Sequence, residues 1–152
     1  ENRFEIINKN IKDLESVFDK NSFDFIITNP PYKKMDTGKT NENSKKLISR
    51  HEITATLKDF IKISYIMLKD KGTLYMVHKP ERLVDIIYQL RKNKIEPKEI
   101  RFVHPYEKKE PNLILIKAVK NGGQFLKIDK PLYVYNERGE YTEEILKIYN
   151  KM

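Results

Sequence analysis

The spacing of apolar positions changes repeatedly along this chain, and each change marks an element. Residues 4–8 (FEIIN) read as a short strand, and Ile11, Leu14, Val17 and Phe18 follow at helical spacing. Phe23–Thr28 (FDFIIT) is a second strand, almost continuously apolar, which suits the covered centre of a parallel sheet. Helical spacing returns with Ile53, Leu57, Phe60, Ile61, Ser64 and Leu68, and residues 69–72 (KDKG) read as a basic last turn with a glycine stop. Residues 73–78 (TLYMVH) form a third strand. Pro80 then suits a first helical turn, and Leu83, Ile86, Ile87 and Leu90 define an amphipathic helix.

Beyond Pro97 the pattern changes. Residues 99–104 (EIRFVH) and 112–119 (NLILIKAV) are strands joined by the polar PYEKKEP, with no helix between them, so the simplest pairing is antiparallel. The tail adds strand-like pieces at 125–128 and 132–135 and a helix over 142–149. Strand and helix alternate up to this hairpin, which predicts an α/β fold with a mostly parallel sheet covered by helices on both faces. A chain of 152 residues makes one domain. Because it starts with Glu and runs almost at once into a strand, we expect it to be part of a longer natural chain.

Composition narrows the chemistry. Thirty Lys and Arg against 22 Asp and Glu leave a net charge of +8, which favours a polyanionic partner. The absence of Cys excludes disulfides, thiolate zinc sites and cysteine nucleophiles. His51, His78 and His104 show no ligand spacing, so no metal site is expected. No apolar run is long enough to span a bilayer and no leader pattern opens the chain, so a cytoplasmic protein is the default. Residues 33–46 (KKMDTGKTNENSKK) hold Met35 as their one apolar position and read as a long basic loop.

The strand Phe23–Thr28 stops at Asn29-Pro30-Pro31-Tyr32. In open parallel sheets ligands bind beyond the carboxyl ends of the strands, and these four residues occupy such an end. Pro31 keeps Pro30 out of helical geometry and neither proline has an N–H, so the turn is stiff and the Pro30 carbonyl is left as a fixed acceptor. Asn29 adds a side-chain acceptor and Tyr32 a flat aromatic face. Two acceptors beside a stacking surface match a planar –NH2 group. Its lone pair is delocalised, and accepting both of its protons holds the nitrogen nearer tetrahedral geometry, where that lone pair is available.

An apolar strand ending in NPPY resembles the fourth motif of the S-adenosylmethionine-dependent amino-methyltransferases. The resemblance implies a Rossmann-like class I methyltransferase fold, S-adenosyl-L-methionine as cofactor, and Asn29, Pro30, Pro31 and Tyr32 as the catalytic rim. Asn29 and Pro30 would hold the target nitrogen in line with the sulfonium methyl, and Tyr32 would stack on the target. FEIINKNIKDL resembles the preceding strand and its acidic loop, which puts Asn10 near the cofactor's adenine and makes Asn10 and Asn29 the cofactor-binding candidates. In this fold the last strand inserts antiparallel, as the EIRFVH/NLILIKAV hairpin suggests.

NPPY leaves three substrates open: adenine N6 in RNA, adenine N6 in DNA, and a release-factor glutamine. Arg50 and His51 before the second helical stretch, KPERLVDII, RFVHP and the tail PLYVYNERGEYTEEILKIY together resemble the bacterial tRNA(Val) adenine-N6 methyltransferases, over residues 4–150. That implies tRNA as partner, with Tyr32, Lys33, Lys34, Arg50 and His51 as substrate contacts and Lys39, Lys45 and Lys46 along its backbone. The family's glycine-rich turn and its ribose-binding acidic residue are missing, since Gly38, Gly72, Gly122, Gly123 and Gly139 form no G-x-G between a strand and a helix. The chain thus resembles the carboxyl part of such an enzyme, truncated at its amino terminus: residues 4–119 the carboxyl half of the sheet, 120–152 the tail. Alone it is expected to be inactive, or to act as a non-catalytic RNA-binding module. Residues 4–8 would either detach or pair beside the NPPY strand.

Overall fold

The computed structural model of the chain describes residues 3–32 and 55–150. Six strands form one sheet: β1 (Phe23–Thr28), β2 (Leu68–His78), β3 (Ile95–His104), β4 (Leu113–Lys120), β5 (Lys127–Ile128) and β6 (Leu132–Tyr133). Their order is β1-β2-β4-β3-β5, with β6 also on β3. β1 is parallel to β2, while β4 runs antiparallel between β2 and β3, and β5 and β6 run parallel to β3. Every strand but β4 therefore points the same way. The sheet is mostly parallel with an inserted antiparallel strand, as expected.

Two helices, α1 (Leu57–Met67) and α2 (Leu83–Lys92), pack on one face. Leu57 and Ile61 of α1 and Ile86 and Leu90 of α2 meet Leu74, Met76, Ile100, Ile114, Ile116 and Ala118 of the sheet in one buried cluster. The alternating burial along β4 arises because side chains point to opposite faces in turn. On the second face, Ile145 of the short helix α3 (Glu143–Ile148) packs with Val103 and Leu132. The β1 end of that face lies open, with Phe25 58% and Ile27 72% exposed.

Three expectations are corrected. Residues 4–8 form no strand: Phe4 and Ile6 are 79% and 87% exposed, and no strand lies against the outer edge of β1 among the described residues. An isolated extended segment without a ladder partner has its backbone groups satisfied by water alone and gains nothing from pairing. Ile11–Ser16 is a short 3-10 helix rather than a longer α-helix, capped by Asn10, whose side chain accepts from the Lys12 N–H.

The third concerns residues 69–72, which do not continue α1 to a glycine stop. The helix ends at Met67 and Leu68 already pairs with Phe23; the ladder then resumes at Phe25 and Thr73, so four residues bulge out of β2. Lys71 takes a positive φ there, and a Cβ on Gly72 would sit 2.9 Å from the Lys69 carbonyl oxygen. Glycine is thus needed for close approach. The last carbonyls of α1 are met from outside the helix, Ile66 by the Asn21 N–H and Met67 by the Ser22 N–H.

Candidate active site at the carboxyl end of the parallel strands

Adjacent parallel strands end on the same edge, so the turn leaving β1 must lie beside the turn leaving β2. The register Ile27 with Tyr75 and Thr28 with Met76 carries on past the ladder and brings Asn29 to Tyr32 against His78, Lys79 and Arg82. Pro30 is fully buried and Tyr32 half-buried, whereas Asn29 is exposed. Nothing among the described residues donates to the Asn29 side chain or to the Pro30 carbonyl.

Tyr32 is held from three sides. The His78 ring meets it edge-on at 5.1 Å between centroids, the Lys79 ammonium lies 5.5 Å from its ring centre, and the Arg82 guanidinium donates to its carbonyl at 3.2 Å. Arg82 is itself fixed by Asp85 at 3.0 Å. His78 is fully buried at the end of β2. Its Nδ1 accepts from the Lys79 N–H at 2.8 Å, so the neutral ring carries its proton on Nε2, for which no partner lies at hydrogen-bond geometry among the described residues. Burial, then the Arg82 charge, push the His78 pKa below the ordinary histidine value. A neutral ring against Tyr32 results.

Of the residues singled out from sequence, Asn29, Pro30, Pro31 and Tyr32 stand together at this edge. Asn10 opens the 3-10 turn, whose Lys12 pairs with Asp59 of α1 at 3.6 Å. Lys33, Lys34, Lys39, Lys45, Lys46, Arg50 and His51 lie outside the described residues. His78, Lys79 and Arg82 were not anticipated as part of the rim. The signal for them was topological: a second parallel strand predicted next to the first, with KPER at its carboxyl end.

The described residues of this edge offer two hydrogen-bond acceptors and an aromatic face, a set that can receive a planar amine, and they include no glycine-rich turn to grip a methyl donor. Of the described glycines, Gly72 lies in the β2 bulge, Gly122 and Gly123 come after the antiparallel β4, and Gly139 lies in the tail. None follows a parallel strand to cradle a cofactor. Among the described residues no group of three His, Asp or Glu could hold a metal, and no helix is long and apolar enough to cross a membrane.

Sheet order, the antiparallel β4 and a site at the carboxyl edge define a class I methyltransferase fold. The chain belongs to the Eco57I restriction-modification methylase family, whose model matches residues 1–111. That match shows the methylase family and does not confirm the finer resemblance to the tRNA(Val) enzymes expected over residues 4–150. No curated protein matches the chain. Among solved structures, a predicted O-methyltransferase from Agrobacterium tumefaciens is similar with a TM-score of 0.70 at 19% identity, over 91% of this chain and 56% of that one. A protein of Thermus thermophilus provisionally assigned as a DNA modification methylase, complexed with S-adenosyl-L-methionine, is similar with a TM-score of 0.53 at 16% identity, over 91% of this chain and 58% of that one. At these identities the likeness is one of fold. The chain spans a little over half the length of these structures.

Proposed function

We propose that this chain supplies the substrate-amine side of an S-adenosyl-L-methionine-dependent methyltransferase acting on adenine N6 in DNA. The observation that carries the reading is the stiff Asn29-Pro30 pair at the carboxyl end of β1, whose two acceptors have no donor among the described residues, with Tyr32 fixed beside them. The Asn29 side-chain oxygen and the Pro30 carbonyl accept the two amino protons and keep the nitrogen lone pair directed outward. Tyr32 stacks on the extruded base, a role that suits an aromatic held by His78, Lys79 and Arg82. The cofactor supplies the methyl group. Membership of a restriction-modification family favours DNA over tRNA, and the surplus of basic residues suits either polyanion.

The test is nucleoside mass spectrometry after the complete protein, as the cell makes it, is incubated with labelled S-adenosyl-L-methionine and DNA, tRNA or release factor in parallel. Labelled N6-methyl-2′-deoxyadenosine supports the reading. Label confined to tRNA adenosine would move the substrate to RNA, and label on glutamine would reject a nucleic-acid substrate.

A further inference from the structure

The same sheet edge carries a second aromatic site, at the end of β3. β6 runs beside that end, pairing Val103 with Leu132 and His104 with Tyr133. The Val134 N–H then donates to the His104 carbonyl and the Tyr135 N–H to the Pro105 carbonyl, so the chain after β6 stays in step with the chain after β3. Tyr135 is thereby set next to Tyr106, with centroids 5.5 Å apart. A tight turn follows, in which the Asn136 side chain accepts from the Arg138 and Glu140 N–H groups and Gly139 takes φ 79°, and it returns Tyr141 onto Tyr135. Those two rings stack at 5.4 Å with planes 11° apart.

A cleft of about 640 Å³ opens here, lined by Tyr106, Tyr133, Tyr135 and Asn136 with Glu107, Lys108 and Glu137 at its polar rim. Tyr106 presents 39% of its surface to solvent. Flat rings set by backbone hydrogen bonds are stacking surfaces with little entropy left to lose. Glu107 and Glu137 outnumber Lys108 at the lining, so the cleft suits a polar, uncharged heterocycle better than the nucleic-acid backbone.

We propose that this cleft takes an unpaired nucleobase flanking the one that is methylated, which rests on the nucleic-acid reading above. β1 and β3 are three strand spacings apart, about 14 Å. That is roughly four duplex rises of 3.4 Å, so the two bases lie within a few nucleotides on one strand. Lys79 stands between the sites, its ammonium 5.5 Å from the Tyr32 ring centre and 3.5 Å from the Asn112 carbonyl before β4, where it can meet the intervening phosphate. One strand laid along the edge would meet stacking, cation and stacking in turn.

The test uses the complete protein and single-stranded oligodeoxynucleotides containing one adenine, with 5-iodouracil placed singly at each of the four positions on either side. Photocrosslinked peptides are mapped by mass spectrometry. We expect one offset to crosslink to Tyr106 or Tyr135. We also expect Tyr106→Ala to raise KM roughly tenfold or more with kcat unchanged, and Tyr106→Phe to behave as wild type. Methylation with an unchanged KM in a folded Tyr106→Ala protein, or crosslinks confined to other residues, would overturn the cleft's role and leave the methyltransferase reading standing. If no oligonucleotide is bound or methylated, both fall.

Discussion

His78 at the end of β2 stands edge-on to Tyr32 at the end of the NPPY turn, with ring centroids 5.1 Å apart and planes at 63°. Because the imidazole is buried and near Arg82, its native pKa lies below the ordinary histidine value. The unfolded chain therefore takes up a proton first as the pH falls. The contribution to stability is complete above about pH 6.5 and is lost as the pH drops from there through the depressed native pKa. Urea midpoints measured from pH 8 to pH 5 should fall across that window, and the fall should be smaller in His78→Phe. An equal slope in the variant would mean that other groups govern it.

Lys120 is buried, and no carboxylate pairs with it among the described residues. Its ammonium donates to Asn21 Oδ1 and to the Tyr65 and Leu68 carbonyls at 2.7, 2.7 and 2.8 Å, and lies 4.3 Å from the Tyr65 ring centre. These carbonyls belong to the end of α1 and the residue after it, so the charge also suits the helix dipole. Lys120→Met strips donors from buried acceptors and should destabilise the fold by about 1–3 kcal/mol. Chemical denaturation measures it, and a loss near zero would show that water replaces the lysine.

Thr56 caps α1 reciprocally with Asp59: its hydroxyl accepts from the Asp59 N–H at 3.3 Å, and its own N–H donates to the Asp59 carboxylate at 2.8 Å. Burial pushes the Asp59 carboxyl up, but the Thr56 N–H and hydroxyl and the Lys12 ammonium outweigh it and hold the pKa below the usual carboxylate value. Thr56→Ala should cost about 1 kcal/mol of stability, seen as a lower melting midpoint with methyl-transfer activity intact below it. Activity lost at temperatures where the variant is folded would tie α1 to the site.

How much of this was legible in the sequence depended on what each residue answers to. β1 and the start of NPPY were legible because a continuous apolar run broken by Asn-Pro-Pro has few alternatives. The hairpin was legible because two strands joined by a polar heptapeptide have a simple pairing. Residues 4–8 misled because alternation records only the wish to be half-buried, and pairing needs a neighbour that the described chain does not place there. Lys-Asp-Lys-Gly at 69–72 suits any tight reversal, so its residues read equally as a helix stop and as a bulge. The Thr56-x-x-Asp59 cap was readable and would have placed the start of α1 at Leu57. The tyrosine cleft was not readable, since Tyr106 and Tyr135 are 29 residues apart and meet only through the parallel pairing of β6 with β3.

The account turns on Asn29 and Pro30 as the acceptors that orient an amino group. The most direct measurement is single-turnover methylation of adenine by the complete protein carrying Asn29→Ala, with DNA affinity measured alongside. The methyl-transfer rate should fall on the order of 100- to 1000-fold, with DNA binding unchanged and N6-methyl-2′-deoxyadenosine as the residual product. A variant that binds DNA and methylates it at the wild-type rate would contradict the assignment.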